Sequence, residues 1–363
     1  MQITRNTTQH LAECFAFSDK VGARHCAVVV KATFDVNADG NCRTSDLPLP
    51  WVFVDEHHGD PGTTSLRFES DFAPCKPRVD VLISAEATAP AGHEATRLQV
   101  SLQGPGFHKR AIVTGDRVWS SGIFGLKASD PLPFQRIPLV WDRAFGGSDL
   151  SHHRVEKHGT CACNPVGVGF HLNGDSKSIE GKALPNIERP GDQLVNWSDK
   201  PSSIGFAPVG RAWSPRLQFA GTYDQRWIDE TMPFLPQDFD NRYFQSAPID
   251  QQLDELPDGS VFRCLNMTES GEFIVRIPSF QVPVRYLFDD RTESQMLGAD
   301  TVILQPSQRR LVLVGRVAMK MPRKMTALRE IHVGTPQRSI RPDKPHYASL
   351  GQAVSALGRR HRR

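Results

Sequence analysis

The chain has 363 residues, 39% of them hydrophobic and 23% charged, an ordinary globular composition with ample length to bury a core. Residues 332–363 hold seven Lys or Arg and one Asp, a charge of +6, which leaves −3 for the rest of a chain whose total is +3. A mildly acidic body with a basic end excludes a nucleic-acid-binding domain, and the end itself reads as a solvated tail.

In chain order, the opening MQITRNTTQH has no apolar run. No signal peptide is expected, and AVVV at 27–30 is far too short to span a bilayer. A cytoplasmic protein without membrane contact is the expectation. Residues 26–36, CAVVVKATFDV, are rich in β-branched residues and end in the turn NADGN. They predict a strand, as do 79–88, 96–102 and 109–115. From 116 to 257 periodicity nearly vanishes, Pro and Gly recur, and Trp119, Trp141, Trp197, Trp213 and Trp227 stand among them. Disordered segments lack aromatics, so this middle reads as long ordered loops anchored by buried rings. Strands return at 260–267, 272–278, 300–306 and 309–319, with turns at 269–271 and 306–308. Helices are few: a turn or two at 224–230 and a weak one at 347–358.

These elements predict a mainly β fold with sandwich-like antiparallel sheets, long ordered Pro/Gly/Trp-rich loops and few short helices. One domain is expected over 1–331, with strand-rich ends at 20–115 and 258–320, followed by a flexible basic tail at 332–363. The seven cysteines are odd in number and scattered, which is no disulfide framework.

Two stretches imitate metal sites. Asp35, Asn37, Asp39, Gly40 and Asp46 nearly match a calcium loop, but Asp stands where a bidentate Glu belongs and a strand precedes the loop. A hairpin turn on Asp39-Gly40 explains the same residues. His152, His153, His158, Cys161 and Cys163 are zinc-type ligands without paired spacing, so a surface loop is the better reading. No nucleophile elbow, P-loop or dinucleotide fingerprint occurs, and HEATR at 93–97 has Arg97 where a second zinc His must stand. Carboxylates such as Asp224, Asp238 and Asp240 could serve a hydrolase as acid and base, with or without a metal. Beside prolines and turns, aspartates more often lock loops. No catalytic residue, metal or cofactor is assigned.

FESDFAPCKPRVDVLI, residues 68–83, mixes five charges, two prolines and an apolar run. Pro74 and Pro77 bias Ala73 and Lys76 toward extended backbone. Alternation then puts Val79, Val81 and Ile83 on one face, with Arg78, Asp80 and Leu82 on the other. Arg78 is expected to pair with Asp80, and Asp71 to reach Lys76, as a lock at the edge of the core whose exposed charged face would meet any partner.

Longer strings occur in a set order: SLRFESDFAPCKPRVDVLI, PFQRIPLVWDRAFGG with Asp142 and Arg143, CNPVGVGF, LPNIERP, IGFAPVGRAWSPR, the 33-residue string from Ala220 to Gln252 that contains Asp224, Asp238, Asp240 and Arg242, and DTVILQP. Together they resemble a bacterial family long labelled a domain of unknown function and encoded in type VI secretion gene clusters. The likeness runs from about Val29 to Met319 and leaves out the tail beyond about Val333. The chain departs from the family pattern at Cys75 and Arg78. The resemblance implies an effector adaptor, or chaperone, that binds a secreted toxic effector through its N-terminal region or a PAAR-type domain and loads it onto the VgrG spike. It implies no catalytic residues. A hydrolase using aspartates is the competing expectation, and a β-sandwich that binds glycan or peptide at the cell surface is a third.

Overall fold

Arg24–Val36 is the longest strand, and nine consecutive residues, Cys26 to Phe34, are buried. Burial of both pleat faces explains why it reads as a continuous β-branched run rather than an alternation. The computed structural model describes residues 2–90, 93–123, 125–322 and 327–335. The basic stretch from 336 onward and the helix expected at 347–358 lie outside the described residues.

The largest sheet has seven strands. Its order is Gln252–Leu253, Val79–Ile83, Ala299–Gln305, Arg310–Lys320, Arg24–Val36 and Leu11–Ser18, with Cys42–Thr44 also paired to Arg24–Val36. Strands from both ends of the chain therefore share one sheet. Val79–Ile83 and Ala299–Gln305 run parallel, an exception to the expected antiparallel pairing. A five-stranded antiparallel sheet follows the order Ile187–Glu188, Phe107–Thr114, Arg97–Gly104, Val261–Leu265 and Glu272–Arg276. The third sheet places Arg5–Asn6, Leu328–Val333, Val282–Phe288 and Thr292–Leu297 side by side. Val28, Val100 and Val284, one from each sheet, belong to a single apolar core.

The fold is mainly β, as the hydrophobic patterns predict. The helix expected at 224–230 is Gln225–Glu230, and Ser176–Ile179 adds another short one. Besides several strands of two to four residues, four longer ones had no clear signal: Leu11–Ser18, Val282–Phe288, Thr292–Leu297 and Leu328–Val333. Val282–Phe288 alternates buried and half-buried residues, but Pro283 inside it masks the pattern. His332 and Val333 pair within the third sheet, so the boundary expected between residues 331 and 332 falls inside a strand.

The middle of the chain is ordered, and its tryptophans divide into two kinds. Trp119, Trp141 and Trp213 are buried, whereas Trp197 and Trp227 are only half-buried. Trp141 and Trp213 meet edge to face at 6.0 Å and 90°. The Trp141 indole N–H donates to the Ala207 carbonyl at 3.0 Å. Trp119 joins Phe145, Ile179, Leu184 and Leu194 in a second, smaller core. Among the described residues no helix is long and apolar enough to cross a membrane.

Candidate functional site

Every charge of the 68–83 motif is taken up by an ion pair. Glu69 receives Arg216 Nη2 at 2.6 Å, and Arg211 Nη2 lies at 3.1 Å. Arg216 also donates to the carbonyls of Val209 and Tyr243, and Arg211 grips Asp55 with two bonds of 2.8 and 3.1 Å. Asp71 pairs with Lys31 at 2.7 Å and accepts from the Val52 amide. Lys76 pairs with Asp80 at 2.6 Å. Asp80 is fully buried and also accepts from Gln245 Nε2 and the Ser246 amide. Arg78 reaches Asp254 at the surface.

Three expectations for this motif are thus corrected. Arg78 does not pair with Asp80, and Asp71 does not meet Lys76, because each acid already has a closer cation. Nor does the strand that ends the motif carry an exposed charged face, although the residues leading into it are mostly half-buried. Val79–Ile83 lies between two other strands and all five residues are buried, so the exposed charged face expected there is absent. Its position is decided by a parallel partner more than two hundred residues away in sequence, which local pattern cannot reveal. Burial by itself would raise the Asp80 carboxyl. Lys76, Ser246 and Ala247 outweigh it, and the pKa ends below the usual value.

Asp142 accepts from the Ser65 amide and hydroxyl. Arg143 bridges Asp116 at 3.2 Å and Asn186 at 3.0 Å. Both residues tie loops to one another across the chain.

Residues 216–244 form a surface segment. Asp224 caps Gln225–Glu230 by accepting from the Trp227 amide at 2.9 Å. Asp238 accepts from the amide and hydroxyl of Thr222, and Asp240 from Arg242. Those hydrogen bonds hold both carboxyls below the ordinary range. Arg242 lies over the Phe219 ring at 4.2 Å, and Trp227 donates to the Phe234 carbonyl. Lys20 and Gln237 exchange side-chain-to-carbonyl bonds that fasten the segment to the 19–23 turn. Each of these three carboxylates thus accepts hydrogen bonds from within its own segment.

Five apolar residues of the same segment face outward, while Phe239 is buried. Leu217, Tyr223, Ile228, Met232 and Phe234 are between 38% and 58% exposed. Beside the short helix lies an open groove of about 270 Å³ lined by Trp227, Glu230, Thr231, Pro236 and Asp238, among others. Periodicity could not find this surface, since it needs the knowledge that these bulky residues have no core to enter.

The metal lookalikes resolve into local structure. Asn37 to Asn41 close a hairpin in which Gly40 adopts φ 81°, and Asp46 pairs with Arg43. His152 accepts from the Arg154 amide and stacks on His153 at 4.3 Å, while His158 bonds the His152 carbonyl. Among the described residues no three His, Cys, Asp or Glu side chains are grouped to hold a metal ion.

No curated protein and no solved structure matches this chain. One family model does, over residues 21–316, and its description is an uncharacterized protein conserved in bacteria. That span is well over half of the sequence, and the chain belongs to this family, DUF2169.

Proposed function

We propose that the chain is a non-enzymatic adaptor, or chaperone, that binds a toxic effector of a type VI secretion system and helps load it onto the VgrG spike. The observation that carries this reading is the 217–234 surface, where large apolar side chains stand in solvent on a loop held rigid by its own polar groups. A preorganised surface loses little conformational entropy on binding. Exposed apolar residues gathered on one segment are the usual mark of a protein partner. The string resemblance supplies the class of partner, an effector entering through its N-terminal region or an attached PAAR-type domain. The hydrolase reading has less support: Asp238 and Asp240 have lowered pKa values, which suits a loop lock better than a general acid.

Co-expression with a candidate type VI effector tests the reading. The effector should co-purify with the wild-type chain and be lost with Ile228→Asp plus Met232→Asp. An effector that neither co-purifies nor depends on this chain for secretion ends it.

A further inference from the structure

The five-stranded sheet has an open edge. Ile187–Glu188 covers only the last part of Phe107–Thr114, with Ile112 opposite Glu188 and Val113 opposite Ile187. The Thr114 amide donates to the Asn186 carbonyl, so residues 114, 112, 110 and 108 turn their backbone groups toward this side. The next rung in that register would oppose Arg110 to Pro190. Proline has no N–H to give the Arg110 carbonyl, and Gly191, at φ 82°, carries the chain away. Among the described residues nothing pairs with the backbone of His108 or Arg110 on that side.

The notch left there is an open cavity of about 380 Å³, lined by Phe107, His108, Lys109, Arg110, Arg189, Pro190 and Asp250. Lys109 is buried and its ammonium engages Asp250 at 2.8 Å, Gln251 and the Gly205 carbonyl. With Asp250 so neutralised, exposed Arg110 and Arg189 set the sign of the notch, and it is positive.

We propose that Phe107–Ala111 is a strand-addition site for an extended acidic segment of a partner polypeptide. The segment pairs with the outward amides and carbonyls of His108 and Arg110 and sets its carboxylates against Arg110 and Arg189. Main-chain bonds supply affinity in such additions, and flanking side chains choose the sequence. Charge decides the occupant. A second copy of this edge would bring arginines against arginines, and the chain's own 332–363 stretch carries +6. The inference rests on the sheet edge and not on the adaptor reading, so either stands if the other falls.

The test uses the full chain and a short fluorescein-labelled peptide that alternates glutamate with valine, beside its lysine-for-glutamate counterpart. Anisotropy should show the acidic peptide binding at least about tenfold more tightly than the basic one. Hydrogen exchange across 107–111 should slow when the acidic peptide is bound. Arg110→Ala removes one charge and weakens binding, whereas Arg110→Pro also removes an edge donor that no existing bond uses and should weaken it further. Unchanged exchange in 107–111 of the wild-type chain overturns the site. So does a folded Arg110→Pro that binds the peptide as well as Arg110→Ala.

Discussion

Lys76 and Asp80 stand one strand-start apart in sequence and form a 2.6 Å ion pair, with the lysine side chain 4% exposed and the aspartate fully buried. Such a pair is weak as net stabilisation, since both charges were taken out of water, but it is costly to break from one side. Asp80→Ala leaves a buried ammonium with only Glu69, 3.9 Å away and already shared with two arginines, as counter-ion, and orphans the donors of Gln245 and Ser246. The expected loss is about 3–5 kcal/mol in urea unfolding. A loss on the scale of an exposed pair, below about 1 kcal/mol, would show that the site is wetter than described.

The same carboxyl makes stability depend on pH. The folded pKa of Asp80 lies below its unfolded value, as does that of Asp55, where burial raises the carboxyl but the Arg211 bond, the Ser70 amide and the charges of Arg211 and Arg216 more than offset it. Each therefore contributes stability that is complete above about pH 4 and is lost as the pH falls through the folded pKa. Asp300 acts in the opposite sense, because burial leaves its pKa raised despite Arg316. Thermal unfolding should show midpoints that fall on acidification below about pH 4. Asp80→Asn should flatten that fall, and an equally steep fall in the variant would remove Asp80 from the explanation.

At the surface the expectation reverses. Ile228→Asp and Met232→Asp, at 46% and 58% exposure, should each change folding stability by no more than about 0.5 kcal/mol. Either should weaken effector capture by at least about tenfold if that surface is the interface. Equal capture by the wild type and the double variant would move the interface elsewhere.

Trp141 provides a core counterpart. Its ring closes over Gly205, where an added Cβ would come within 2.5 Å, and it meets Trp213 edge to face. Trp141→Ala should cost about 3–5 kcal/mol through cavity formation. Gly205→Ala should also destabilise, by overpacking against the indole. A Gly205→Ala variant as stable as wild type would show that the ring can shift aside.

Much of the strand content was legible. Arg24–Val36, Phe107–Thr114 and Arg310–Lys320 carry β-branched runs, Arg97–Gly104 alternates apolar with polar residues, and the structure places strands at all four. Leu11–Ser18 and Thr292–Leu297 were not legible, because half-buried strands that mix polar and apolar residues imitate loops. The aspartates of the 220–252 string stand beside prolines and turns, a setting that favours local hydrogen bonds. Two of their partners, Trp227 and Arg242, lie within one helical turn in sequence, whereas Thr222 is 16 residues from Asp238.

Sequence alone determined the class of fold, the ordered character of the tryptophan-rich middle and the absence of a familiar reactive motif. All three follow from periodicity, composition and short-range turn chemistry, which act over a few residues. Only the tertiary structure decided which charge meets which, because Glu69 finds Arg216 and Asp71 finds Lys31 across long stretches of chain. It alone buried the 79–83 strand, left Leu217 and Met232 in solvent, and ended the ladder at Pro190. Those outcomes depend on how distant strands are brought side by side, and no local window of sequence contains that geometry.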